Sequence, residues 1–325
     1  MKAMPLEKRG ITTSRIALGC MRFGGSWDTN PYSKEDVVKV EKAIDVALES
    51  GITMFDHADI YTIGKAERVF GEILKARPEL REKIVLQSKC GIRFADEKNP
   101  TRYDFSKDYI LNSVDGILSR LNTEYLDILL LHRPDPLVEP EEVAEAFESL
   151  KGSGKVRHFG VSNMNVPQIQ LLNSYCSEPM IVNQLEMSLK RMDWVEQGVL
   201  ENQKAGTSIN FPNGMMEYCQ LEDVQIQAWG PLAKGIYSGS SISELSESDL
   251  ATKKLVEKMA KEKETSTEAI VLGWLMRHPA KIQPVIGTTD PIRIKNSQDA
   301  IRQAEQMTRE EWYSLYVASR GQQMP

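Results

Sequence analysis

Thr53-Met54-Phe55-Asp56-His57-Ala58-Asp59-Ile60-Tyr61 is an apolar run that stops at a carboxylate, with a tyrosine five positions beyond it. Two later runs end in the same way, each on one functional group: Ile84-Val85-Leu86-Gln87-Ser88-Lys89 and Ile128-Leu129-Leu130-Leu131-His132. Working outward from them, strand-like segments recur at Ile16–Met21, Val156–Ser162, Ile181–Glu186, Val224–Trp229 and Pro284–Gly287. With Thr53–His57, Ile84–Lys89 and Asp127–His132 that makes eight. Several are almost continuously apolar, as parallel strands covered on both faces must be.

Between the strands lie amphipathic helices with legible ends. Ser33 precedes Val37, Val40, Ile44 and Leu48 on one face, and Gly51 stands where a C′ glycine closes a helix. Ser106 opens a stretch with Ile110, Val114, Ile117 and Leu121 at helical spacing. Pro140 occupies a first-turn position ahead of Val143, Phe147 and Leu150, with Gly152 and Gly154 after them. Thr308 and Glu311 form a capping box ahead of a final helix. Lys8–Ser14, with Arg9-Gly10 at its turn, is read as a small β-hairpin.

Alternating strands and helices call for right-handed crossovers and a parallel sheet. An open doubly wound sheet is the alternative to a closed barrel, but no strand runs into Gly-x-Gly-x-x-Gly. Gly152-Ser153-Gly154 precedes a strand, carries Arg157 at the third glycine position, and fails as a phosphate loop because Lys155 is followed by valine. The expected fold is therefore α/β, a (β/α)8 TIM barrel with an N-terminal β-hairpin and extra C-terminal helices, as one domain over residues 1–325. Its active site belongs at the C-terminal strand ends, where Asp56, Lys89 and His132 fall.

Composition narrows the function. The 325 residues are 41% hydrophobic and 26% charged, with a net charge of −6 and no basic block, which argues against nucleic acid as a partner. Cys20, Cys90, Cys176 and Cys219 are scattered without a Cys-x-x-Cys pair, so reduced thiols are expected rather than a disulfide framework. Met1–Gly10 lacks the apolar core of a signal peptide, and no apolar run approaches the roughly 20 residues of a membrane span. A cytoplasmic location with no membrane partner follows as the expectation. His57, His158 and His278 have no ligand spacing with one another or with the cysteines, so no metal site is expected.

Tyrosine, lysine, aspartate and histidine have separate uses in carbonyl reduction. A phenol with a pKa of about 10 yields its proton poorly at neutral pH. A nearby ammonium stabilises the phenolate, and an aspartate holds that ammonium charged and oriented. The pair is expected to draw Tyr61 down towards the operating pH, where general acid catalysis is most effective. A neutral His132 adds a hydrogen bond to the carbonyl oxygen. Singly, each group has an ordinary reading as packing or a surface charge; together at one end of consecutive strands they read as a site.

Here the chain resembles the aldo-keto reductases, from about Gly19 to about Ala300. The residues that carry the likeness are Phe55–Tyr61, Gln87-Ser88-Lys89, Leu130-Leu131-His132-Arg133-Pro134-Asp135 and Gly154–Asn163, in that order. The resemblance implies an NADPH-dependent enzyme acting on a small-molecule carbonyl, with NADP(H) bound in an extended pose. It also implies that Tyr61 is the general acid, Lys89 and Asp56 tune it, and His132 orients the carbonyl. By the same resemblance Ser162, Asn163 and Gln184 hold the nicotinamide carboxamide. Trp229, in the run continued by Gly230, Pro231 and Leu232, stacks on the ring where many members have tyrosine. Gly287, Thr288, Thr289 and Arg293 match the segment that grips the 2′-phosphate. Where the family often shows Glu-Asn after this arginine, the chain reads Lys295-Asn296-Ser297.

Two other functions fit parts of the pattern: an NADPH-binding regulatory subunit with little turnover, and a Schiff-base aldolase using Lys89. The intact Asp56/Tyr61/Lys89/His132 set favours the reductase. Specificity is expected from Arg22–Pro31, Gly91–Phe105, Leu189–Tyr218 and Met307–Pro325. Trp27 and Phe94, in loops after strands, are candidates for the substrate pocket, as are Phe23, Met215 and Met216 for pocket or core. Ser238–Ser241 reads equally as a flexible loop or a cofactor clasp.

Overall fold

The computed structural model describes residues 2–240 and 244–325. Its strands are β1 (Ala17–Gly19), β2 (Met54–Asp56), β3 (Val85–Cys90), β4 (Ile92–Arg93), β5 (Arg102–Tyr103), β6 (Leu126–Leu131), β7 (Val156–Ser162), β8 (Val182–Glu186), β9 (Gln225–Trp229) and β10 (Gln283–Ile286). All but β4 and β5 form a closed parallel barrel in the order β1-β10-β9-β8-β7-β6-β3-β2. Each expected strand has its counterpart in it. β4 and β5 pair antiparallel in the loop after β3, a hairpin not foreseen from the sequence.

β6 shows why the apolar runs are unbroken. Leu129 and Leu131 pack outward against the helical shell, while Ile128 and Leu130 pack inward with Ala17, Met54, Val182 and Val285. Both faces of the strand are out of water, which keeps Ile128–Leu131 apolar, and the one charged residue of β6, Asp127, is buried only as the partner of Arg81 and Arg157. The shell helices end as their caps dictate. Lys34–Glu49 starts where the Ser33 hydroxyl accepts from Asp36 N, and Gly51 takes φ +72° beyond its end. Arg309–Arg320 starts at the Thr308–Glu311 capping box and docks on Thr267–Met276, where Trp312 and Trp274 stack at 5.0 Å and each indole N–H donates to the other's carbonyl at 3.0 Å.

The N-terminal hairpin is corrected. Pro5–Lys8 is one helical turn with proline in its first turn, and Glu7 Oε2 accepts from Met4 N at 3.2 Å. Gly10 reverses the chain at φ +70°. The turn places Leu6, fully buried, among the inward residues of the barrel. Leu6 gains more by filling the barrel floor than an isolated hairpin of polar residues gains from its few backbone bonds.

Candidate active site

Lys89, on β3, is wholly buried, and Asp56, at the end of β2, is nearly so. Register puts Asp56 opposite Gln87, two residues before Lys89 on the same side of the strand. The Lys89 ammonium therefore reaches both Asp56 oxygens at 2.7 Å, the His57 carbonyl at 2.9 Å and the Tyr61 hydroxyl at 3.1 Å, donating to each. Burial, the largest single influence, pulls the lysine's pKa down, but the charge and hydrogen bonds of Asp56 together with those of Tyr61 outweigh it and hold Lys89 above its usual value.

Tyr61 opens a tight turn, Tyr61–Gly64, in which Thr62 and Ile63 take φ of 47° and 59°. Left-handed backbone is costly for a β-branched residue. The Thr62 hydroxyl anchors the turn by donating to Phe23 O at 2.8 Å. His132 follows β6 and meets the Tyr61 ring edge-on at 6.1 Å. Burial, then the charges of Lys89 and Arg133, press the His132 pKa well below its ordinary value, so the imidazole is neutral at pH 7. Its Nδ1 is sealed without a hydrogen-bond partner among the described residues, leaving Nε2 as the nitrogen able to serve a ligand.

One expectation is reversed. Tyr61 is raised above its usual pKa rather than drawn down, because burial of the phenol and the Asp56 charge together outweigh Lys89. The phenol is thus fully protonated at neutral pH.

A second group gathers across β7, β8 and β9. Trp229 Nε1 donates to Asn163 Oδ1 at 3.0 Å, Asn163 Nδ2 donates to Ser162 Oγ at 2.7 Å, and Ser162 Oγ donates to Gln184 O at 2.9 Å. Asn163 reaches this pose with φ +58°, which asparagine tolerates. The Arg133 guanidinium lies 5.9 Å from the Trp229 ring centroid. Gly230, at φ +63°, carries the chain from Trp229 into Pro231 and Leu232. Gly287, Thr288 and Thr289 form the loop from β10 to the helix Pro291–Gln298, which Asp290 caps. Arg293 on that helix donates from Nε to Glu268 Oε1 at 3.1 Å and from Nη2 to Ser238 O at 2.7 Å.

A family model described as "Aldo/keto reductase family" matches residues 15–316. The chain belongs to that family. The aldo-keto reductase is 36% identical over 319 residues to a 6-dehydroglucose reductase from Agrobacterium fabrum, with 97% of each chain covered. It is 35% identical over 306 residues to an uncharacterized oxidoreductase, YcsN, from Bacillus subtilis, covering 93% of this chain and 94% of that one. Its fold matches an aldo-keto reductase from Klebsiella pneumoniae solved with NADPH, at a TM-score of 0.68 and 22% identity over 93% of this chain and 89% of that one. The reaction common to the family, oxidoreduction at a carbonyl, is the general chemistry of this enzyme. Among the described residues no helix is long and apolar enough to cross a membrane.

The structure of the aldo-keto reductase places the side chains for which the sequence left alternatives open. Trp27, half exposed, lies edge-on to Tyr61 at 6.5 Å, in a loop tied down by Asp28 accepting from Lys65 Nζ at 2.9 Å. Phe23 is core, packed on Phe70 and His57, and Met215 and Met216 are buried too. Phe94 is exposed beyond β4. Of Ser238–Ser241, Ser238 is buried as an Arg293 acceptor, and Ser241 lies outside the described residues. Missed altogether were Gln87, Gln227 and Gln283, fully buried amides inside the barrel. The available signal was a polar amide within or at the start of a strand-like run: Gln87 in β3, Gln227 in β9, and Gln283 just ahead of the expected strand Pro284–Gly287.

Proposed function

We propose that the chain reduces an aldehyde or ketone to an alcohol using NADPH, with Tyr61 as proton donor, Lys89 and Asp56 as its electrostatic support and His132 as the group that orients the carbonyl. The observation that carries this reading is the buried Asp56–Lys89–Tyr61 line, with the ammonium 3.1 Å from the phenol oxygen and neutral His132 beside it. The cofactor, when bound, supplies the hydride to the carbonyl carbon. Tyr61 gives its proton to the carbonyl oxygen, and Lys89 stabilises the phenolate left behind. Because the phenol is raised in pKa, the acid is loaded at neutral pH, and the developing alkoxide is basic enough to take the proton. His132 Nε2 donates a hydrogen bond to the same oxygen and shares its charge.

The residues present suit the cofactor. Ser162, Asn163 and Gln184 offer amide and hydroxyl groups to a carboxamide, Trp229 offers an aromatic face, and Arg293 with Thr288 and Thr289 offers donors to a phosphate at a helix N-terminus. The fold shared with the NADPH-bound Klebsiella protein supports the same choice. The Agrobacterium relative makes oxidised hexoses the first substrates to try, followed by aromatic aldehydes.

Tyr61→Phe tests the assignment. It keeps the ring against Trp27 and His132 and removes the proton, so single-turnover hydride transfer should fall by ~10²–10⁴-fold with NADPH affinity little changed. A variant keeping a third of the wild-type hydride-transfer rate would remove Tyr61 from the role.

A further inference from the structure

Four glutamine amides form a connected row across the barrel beneath Asp56. Register sets Asp56 opposite Gln87 across β2 and β3, and brings Gln184, Gln227 and Gln283 level across β8, β9 and β10. Gln87 Nε2 donates to Asp56 Oδ1 at 2.6 Å and to Gln227 Oε1 at 2.8 Å. Gln184 Nε2 does the same at 3.2 and 3.0 Å. Gln227 Nε2 donates to Gln283 Oε1 at 3.0 Å, and Gln283 Nε2 donates to Ser14 O at 2.6 Å.

The polarity of this row is not free. Its two ends, the Ser14 carbonyl and the salt-bridged Asp56 carboxylate, can only accept. The Ser14 carbonyl obliges Gln283 to present its N–H2 there and its oxygen to Gln227. Gln227 must then turn its oxygen to Gln87 and Gln184, which must answer with nitrogen. Asp56 demands nitrogen from the same two amides, so both ends agree. Turning Gln184 round would set its oxygen against Asp56 Oδ1 and Gln227 Oε1 and forfeit two hydrogen bonds. The row accepts one cost to keep this order, for Gln87 Oε1 is sealed without a partner among the described residues. Gln184 Oε1 is not among the sealed atoms, and no hydrogen bond from the described residues holds it.

From this we infer that Gln87, Gln227 and Gln283 are positioning residues that lock the Gln184 amide with its carbonyl oxygen outward, so that the site selects a nicotinamide by the N–H2 of its carboxamide. The inference rests on the proposed placement of Gln184 at the nicotinamide and adds which atom it presents and what fixes it.

Equilibrium binding of NADP⁺ and of its 3-acetylpyridine analogue tests it, followed by tryptophan fluorescence quenching. The analogue keeps the carbonyl oxygen and lacks the N–H2. Gln184→Leu should weaken NADP⁺ by about 3- to 10-fold, one net hydrogen bond, and leave the analogue within about twofold. Equal losses for both would mean that Gln184 presents its nitrogen, which overturns the orientation while leaving Gln184 at the nicotinamide. No loss for either would overturn the placement and the inference together. Gln227→Met, remote from the cofactor and near-isosteric, removes one of the two acceptors that hold the Gln184 nitrogen inward, leaving Asp56 alone to do so, and should narrow the preference for NADP⁺ over the analogue. An unchanged preference in that variant, with a normal melting curve, would overturn the role of the row, and this arm stands even where Gln184→Leu does not fold.

Discussion

Replacing Lys89 by methionine keeps an unbranched side chain only one atom shorter and removes a buried charge with four hydrogen-bonded contacts. The first effect is on the fold, since Asp56 is left as a buried carboxylate without its counter-ion. Breaking such a pair from one side costs about 3–5 kcal/mol. At roughly 2 °C per kcal/mol for a chain of this size, Lys89→Met should melt about 6–10 °C below wild type. The second effect is on the phenol. At 3.1 Å and an effective dielectric constant of ~20, the ammonium and a phenolate attract by about 5 kcal/mol. Even half of that, realised in the transition state, is a factor of roughly 10² in rate. Adding Asp56→Asn should separate the two effects. Removing both charges restores most of the lost stability, because nothing uncompensated stays buried, but it does not restore proton transfer. Circular-dichroism melts and single-turnover NADPH oxidation on the four proteins of the cycle read both quantities. A double variant no more stable than Lys89→Met, or a Lys89→Met hydride-transfer rate within tenfold of wild type, would refute the reasoning.

Arg293→Ala should weaken NADPH by about 1.5–3 kcal/mol while leaving NADH little changed, measured by fluorescence titration. It should also lower the melting temperature, because nearly buried Glu268 loses its guanidinium partner; equal losses for the two nucleotides would make Arg293 purely structural. His57 carries a pH dependence of known sign. Burial, helped by the Lys89 charge, lowers its pKa to about 3, so below about pH 6.5 the unfolded chain binds a proton that the folded chain refuses. That withdraws ~1.4 kcal/mol of stability per pH unit as the pH falls from about 6.5 to about 3. His57→Phe, set edge-on to Phe70 where both imidazole nitrogens lack partners among the described residues, should flatten that slope in urea titrations between pH 7.5 and 5. An unchanged slope would mean that the imidazole is protonated in the folded chain.

The barrel was legible because burial on both faces leaves unbroken apolar runs, and β6 shows this residue by residue. Asp56, Lys89 and His132 were legible because each ends such a run, and chain direction decides at which rim a strand end lies. What could not be read depended on three-dimensional neighbours. Arg9-Gly10 is a sound turn signal, but the place of Leu6 under the barrel, not the turn, decides that a helix precedes it. The direction of the Tyr61 shift depends on how completely water is excluded, and no spacing of residues reports that. Arg293 has Glu268 and Ser238 as partners from two other elements. The glutamine row needs the register of five strands at once, which a single sequence does not display.

Closure of the barrel also has a consequence for synthesis. The row of amides crosses the seam where β10 meets β1, and its last link joins residues 269 positions apart. A nascent chain that has emerged only as far as β9 already carries Asp56, Tyr61, Lys89 and His132. It lacks Gln283, and so the order imposed through Ser14 has nothing to act through. Contacts of such long range form late, after the entropy of closing the loop has been met. Competence for hydride transfer should therefore arrive abruptly with the eighth barrel strand, and a translation product arrested before it would be inert rather than partly active.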